Sequence, residues 1–248
     1  STGTIFLSFF NPSIQPSSTI LYEAGLKYHE CRDVLSNLKN NIPIDSRDSE
    51  SKENVLKIYG TDLTEQASLG KLDPVIAREK DIARIIEILA RRTKNNPIII
   101  GQPGVGKTVI VEGLAQLIVN SRVPETLLNK RIIQLDIAQL TAGAKFKGEF
   151  EERMKSVVDS LINSHGKVIA FIDEMQTLID ANSGGSIKAS DMLKPALTRG
   201  QIQIIGTTTT ETFKKTIEKD KALSRRFQPV KLDEPSIDET ISILDGLK

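Results

Sequence analysis

The chain has 248 residues, with 33 Lys and Arg against 32 Asp and Glu, for a net charge of +1. Balanced charge argues against a bulk electrostatic grip on nucleic acid or on an anionic membrane, and no apolar run approaches the ~20 residues of a membrane span. Cys31 is the only cysteine, which excludes an intrachain disulfide and a multi-cysteine zinc site and points to a reducing compartment, read as the cytoplasm.

Residues 1–40 alternate apolar clusters, such as Ile5–Phe10, with turn residues. So short a stretch cannot build an independent core; it reads as the end of a small helical module, and the chain is expected to be a slice of a longer one. Residues 41–54 are polar, charged and aperiodic, the composition of a linker. From residue 55 to residue 248 the pattern is regular. Asp81–Arg92 places Ile82, Ile85, Ile86 and Leu89 on one helical face. Pro97–Ile100 is a short, wholly apolar run ending at Gly101, as expected of a buried parallel strand. Arg131–Leu135, Val168–Ile172, Gln201–Ile205 and Gln228–Leu232 resemble it, and helical patterns fall at Thr108–Val119, Glu149–Ile162 and Ser190–Thr198. Alternation of this kind implies an α/β fold, a parallel sheet covered by helices on both faces.

Between the first strand and its helix stands Gly101-Gln-Pro-Gly-Val-Gly-Lys107-Thr108, a match to G-x-x-x-x-G-K-[ST]. Glycines at 101, 104 and 106 permit backbone conformations that a side chain forbids. Their N–H groups, with Pro103 and Val105 between them, can point at phosphate, helped by the positive N-terminus of the following helix. Lys107 would reach the β/γ-phosphates of a nucleotide, and the Thr108 hydroxyl would ligate Mg²⁺. The strand at 168–172 runs into Asp173-Glu174. That places two carboxylates at the C-terminal edge of the sheet, where open α/β sheets bind ligands. Asp173 is expected to hold Mg²⁺ and Glu174 to polarise the attacking water, so ATP hydrolysis is favoured over mere binding. The strand at 201–205 leads into Gly206 and Thr207–Thr210, whose hydroxyls are candidates to report on the γ-phosphate or the lytic water, although four threonines also suit the end of a strand. Arg225 and Arg226, before the last strand, suit arginine fingers if the protein forms a ring.

Together these residues resemble the AAA+ ATPases, and among them the first ATPase domain of ClpB/ClpC-type protein-unfolding chaperones. The resemblance runs from Tyr59 to Lys248 through Leu72–Ile76, Arg91–Pro97, the phosphate loop, Val111–Ala115, Gly143–Arg153, Met192–Leu197 and Arg225–Pro229. It implies a P-loop NTPase fold with a five-stranded parallel sheet in the order 5-1-4-3-2, counted along the chain. Residues 1–40 would then be the end of the helical Clp N-terminal domain, residues 41–54 its linker, and residues 55–248 the large AAA+ subdomain without its helical lid. It further implies that Val75 and Ile76 pack on adenine, that Thr209 is the sensor-1 position, and that Arg226, assisted by Arg225, acts on a neighbouring subunit. Family members form ATP-driven hexamers that thread unfolded or aggregated polypeptide through a central pore, some with a co-chaperone or protease. The pore-loop aromatic falls on Phe146, between Lys145 and Lys147, in a glycine-rich, basic loop that suits an exposed ring. Gly184–Lys188 is a candidate second pore loop.

The sequence departs from the family at Gln102 (usually Glu), Gln176 (His), Ala77 (Gly), Ser224 (Glu) and Phe146 (Tyr). Ser224 also fits the related ClpV-type ATPases that dismantle secretion sheaths. A nucleotide-gated scaffold with little hydrolysis is the reading from a different class. Lacking a lid, the chain by itself is expected to be mainly monomeric, with weak nucleotide affinity and slow turnover.

Overall fold

The apolar runs read from the sequence become strands of one sheet in the computed structural model, which describes residues 55–142, 147–180 and 189–246. The strands are β1 (Gly60–Asp62), β2 (Asn96–Ile100), β3 (Arg131–Leu135), β4 (Val168–Ile172), β5 (Gln203–Thr208) and β6 (Phe227–Lys231). Their order in the sheet is β1-β3-β4-β5-β2-β6. The β3–β4, β4–β5, β5–β2 and β2–β6 pairs are all parallel. The expected five-stranded sheet is therefore corrected to six: β1 adds an antiparallel edge, Gly60 standing opposite Leu135 and Asp62 opposite Ile133. Three residues without apolar alternation carry no strand signal. What recruits them is tertiary: Asp62 caps the next helix through the N–H groups of Thr64 and Glu65, and its other oxygen accepts from Arg131 Nε at 2.7 Å.

The helices are α1 (Leu63–Ser68), α2 (Glu79–Leu89), α3 (Lys107–Val119), α4 (Ile137–Thr141), α5 (Lys147–Asn163), α6 (Met175–Asp180), α7 (Ala189–Thr198), α8 (Thr210–Lys215), α9 (Lys221–Ser224) and α10 (Ile237–Gly246). The two-residue period of the strands sorts their side chains into two cores, one on each face of the sheet. Ile98, Ile133, Ala170, Ile172, Ile204 and Phe227 join Phe150, Met154 and Val157 of α5 and Leu193 and Leu197 of α7. Ile99, Ile132, Phe171, Ile205 and Val230 join Ile82, Ile85 and Leu89 of α2 and Ile110, Val111 and Leu114 of α3. Strands β2, β4 and β5 are buried along their whole length, as parallel strands covered on both faces must be.

The last parallel strand before the arginines is displaced from its expected place. It was expected at Gln201–Ile205 and runs over Gln203–Thr208, because a strand with neighbours on both sides admits Gly206 and two threonines when their polar groups are paired. Gly206 is also a packing requirement: a Cβ there would come within 2.7 Å of Met175 Cγ. The expected N-terminal segment 1–40, the linker 41–54, the pore-loop residues Lys145 and Phe146, and Gly184–Lys188 lie outside the described residues, as does the side chain of Lys147.

One departure from the family pattern has a structural correlate. Ala77 stands at φ +58, in the left-handed region that costs a residue with a Cβ ~1–2 kcal/mol. Directly after it, the buried Arg78 sends Nη2 2.8 Å to the carbonyl of Val105 in the phosphate loop. Replacing Ala77 by glycine relieves the strain but frees the unfolded chain, so Ala77→Gly should stabilise by about 0.5 kcal/mol net. A thermal melt should show a slightly higher midpoint for this variant; a lower one would mean that the strain is absent.

Candidate nucleotide-binding active site

Parallel register brings three strand ends to one level. Ile172 of β4 stands beside Gly206 of β5, and Ile100 of β2 stands beside Thr208. The phosphate loop leaves β2, the acidic pair leaves β4, and the threonines of β5 lie between them. The six residues from Gly101 to Gly106 cross from β2 to the first turn of α3, with Gly104 at φ +84 and Gly106 at φ +90. Only glycine adopts such angles freely, which is why the motif needs glycine at these two positions. Val105 is buried beneath the loop and held through its carbonyl by Arg78. Gln102, Pro103 and Gly104 are exposed.

Lys107 turns its Nζ back to the carbonyls of Gly101, at 3.1 Å, and Gln102, at 2.8 Å. Thr108 Oγ1 donates to Asp173 Oδ2 at 2.9 Å. The other carboxylate oxygen, Oδ1, accepts from Thr207 Oγ1 and, at 3.2 Å, from the Glu174 amide. That amide also donates to Thr207 Oγ1 at 2.8 Å. Glu174 itself is exposed, and its backbone lies at φ +52, a strained conformation of the kind concentrated at functional sites. A cavity of about 510 Å³ opens beside it, lined by Gln134, Asp136, Thr141, Asp173, Glu174 and Thr177 among others. On α3, one turn beyond Thr108, burial and the nearby carboxylates of Asp73 and Asp173 raise the pKa of Glu112. Acidic charge is therefore concentrated at this end of the sheet.

The donors present fit Mg²⁺. A hydroxyl and a carboxylate 2.9 Å apart are the hard oxygens that this ion takes, and it characteristically binds through one or two carboxylates with the rest of its shell from water and substrate phosphates.

The remaining candidates are placed as follows. Val75 lies against Gly113 of α3, where a Cβ would come within 2.9 Å of Val75 Cγ2. Gln116 of the same helix holds that segment through the carbonyl of Asp73 at 2.7 Å. Ile76 rests on Gly246 of α10. Thr209 uses its hydroxyl to cap α8, accepting the Thr212 amide at 3.2 Å, rather than to touch the acidic pair. Gln176 accepts from Thr208 Oγ1 at 3.2 Å. Arg225 is exposed, and Arg226 donates to the carbonyl of Thr198 at the end of α7. Both arginines precede Phe227, which pairs with Asn96 at the start of β2. They stand at the opposite edge of the sheet from the phosphate loop, about 16 Å away at ~3.3 Å per strand residue. One contributor was missed in the sequence: Arg78 carries no signal because burial of one arginine among many is not legible. Thr207 was signalled, but only as one of four adjacent threonines.

A parallel sheet with a phosphate loop after one strand and an acidic pair after the strand two places away defines a P-loop nucleoside triphosphatase of the AAA class. Residues 97–231 match the family described as "ATPase family associated with various cellular activities (AAA)", and the chain belongs to that family. It is 52% identical to the chaperone protein ClpB of Brucella suis over 233 residues, 94% of this chain and 27% of that one. It is likewise 52% identical to ClpB of Meiothermus ruber over 225 residues, 90% of this chain and 26% of the relative. Among solved structures it resembles the Hsp104–ADP complex of S. cerevisiae, with a TM-score of 0.71 and 49% identity over 77% of this chain and 33% of that one. An extended Hsp104:casein complex gives a TM-score of 0.70 at 49% identity, covering 78% and 33%. The chain thus spans about a quarter of the length of these ClpB relatives.

Proposed function

We propose that this chain is an ATP-binding and ATP-hydrolysing module of a hexameric chaperone that unfolds or disaggregates proteins by threading them through a central pore. The observation that carries the reading is the 2.9 Å hydrogen bond from Thr108 to Asp173, which unites the phosphate loop with the acidic pair. Backbone amides of Gly104, Val105 and Gly106 and the Lys107 ammonium bind the triphosphate. Thr108 and Asp173 hold Mg²⁺, which neutralises phosphate charge when bound. Glu174, exposed beside a cavity large enough for solvent, takes the proton from the attacking water. Val75 and Ile76 contribute to the adenine pocket.

Arg226, with Arg225, cannot reach its own phosphate loop from the far edge of the sheet, which suits action on the nucleotide of a neighbouring copy. Thr209 is the sensor position, fixed by its cap on α8. Lys145, Phe146 and Lys147 form the substrate loop, six copies of which present aromatic rings to unfolded or aggregated polypeptide. The ClpB relatives and the casein-bound Hsp104 favour this reading over a ClpV-like sheath-dismantling ATPase, and an intact base and finger favour it over a passive scaffold. Balanced charge favours polypeptide over nucleic acid as cargo, and a cytoplasmic location suits a chain with one cysteine.

Glu174→Gln should retain ATP binding and lower single-turnover hydrolysis by about 10²–10⁴-fold, the usual worth of a general base. An unchanged rate would remove Glu174 from the chemistry. In the assembled ring, Phe146→Ala should leave ATP binding intact and lower translocation of an unfolded polypeptide about tenfold, as loss of a main aromatic anchor does. Undiminished translocation would remove Phe146 from substrate contact.

A further inference from the structure

Thr207 is completely buried (0% exposed) in β5, one residue past the Ile172–Gly206 pair and hence level with Asp173. A threonine hydroxyl has one proton to give and lone pairs to accept with, and both capacities are used here on the acidic pair. It donates to Asp173 Oδ1 and accepts the Glu174 amide at 2.8 Å. The second oxygen of Asp173 is left to Thr108. A valine would fill the same space and make neither bond. Thr209, two residues on, spends its hydroxyl on the cap of α8, so among the described threonines of this run Thr207 alone bonds both members of the pair.

We propose that Thr207 is a positioning residue for ATP hydrolysis: its hydroxyl fixes the rotation of the Asp173 carboxylate and holds the backbone of Glu174 in its positive-φ conformation. The metal-binding group and the base are thereby kept as one unit with a set spacing. Without the hydroxyl, Asp173 Oδ1 loses a donor and the Glu174 amide an acceptor. The carboxylate then keeps only the Thr108 hydroxyl and the longer 3.2 Å bond from the Glu174 amide, so its rotation and the Glu174 backbone are less firmly set, while the amides and the lysine of the phosphate loop are untouched. The consequence falls on the chemical step and spares nucleotide affinity. The inference rests on the reading of Asp173 and Glu174 as the hydrolytic pair.

The test compares wild type, Thr207→Val, Thr207→Ser and Glu174→Gln in single-turnover ATP hydrolysis, each with its ATP dissociation constant and a thermal melt. Thr207→Val should slow hydrolysis about tenfold or more, the loss of one or two buried hydrogen bonds in the reacting geometry, with ATP affinity within about threefold. Thr207→Ser, which restores the hydroxyl, should hydrolyse within about threefold of wild type. If Thr207→Val melts early, Thr207→Ala against Thr207→Ser makes the same comparison without the crowded methyl groups. Hydrolysis by the hydroxyl-less variant within about twofold of wild type overturns the proposal. So does a serine variant as slow as the valine one, or a loss of affinity that matches the loss of rate. Wild-type hydrolysis by Glu174→Gln removes the base assignment instead, and the valine–serine comparison still decides the role of Thr207.

Discussion

The carboxylate of Asp173 joins three strands of the sheet. One oxygen receives the hydroxyl of Thr108, which follows β2, and the other receives that of Thr207 in β5, while Asp173 itself follows β4. Such a junction requires the strand ends to be level to within a hydrogen-bond length. Parallel register supplies that condition, pairing Ile172 with Gly206 and Ile100 with Thr208. Two apolar cores, one on each face, clamp the strands between the helices, and close fits such as Gly206 against Met175 help to set the register. The chemistry at the edge is thus a consequence of packing in the middle.

Support for the phosphate loop comes from the side away from the ligand. Arg78, delivered by the strained turn at Ala77, holds the carbonyl of Val105, and Val75 fits against Gly113 of α3. The segment expected to meet adenine and the loop expected to meet phosphate are therefore braced by the same short stretch of chain. The arginines of the β6 approach are excluded from this assembly by strand length alone. A sheet five residues long separates them from the loop, so one copy holds the phosphate loop and acidic pair at one edge and the paired arginines at the other. This polarity suits a ring in which each site is completed by the next subunit.

Much of this was legible in the sequence, and what was not has physical causes. The phosphate loop and the acidic pair announce themselves because glycine spacing and a carboxylate pair after an apolar strand have few other uses. The central strands β2 and β4 are legible because strands buried on both faces are nearly continuously apolar, whereas β3 and β6 carry shorter apolar stretches that are read from their alternation with helices. β1 escaped because its three residues are recruited by an antiparallel edge and an Asp62–Arg131 ion pair, which are contacts between residues far apart in sequence. β5 was placed early because Gly206 marks a strand end when its neighbours are unknown; Met175 packed against Gly206 and Asp173 bonded to Thr207 make both of them strand residues here. The special place of Thr207 among four threonines depends on register, which composition does not encode.

The central claim is that the loop from Gly101 to Thr108 holds a nucleotide triphosphate together with a metal ion shared with Asp173. Calorimetric titration of ATP, with and without Mg²⁺, into the chain and into its Lys107→Ala variant tests this most directly. The account predicts binding that is tighter with Mg²⁺ and at least about tenfold weaker in Lys107→Ala, the worth of one charge-assisted contact to phosphate. Equal affinity in the two proteins, or binding indifferent to Mg²⁺, would contradict it.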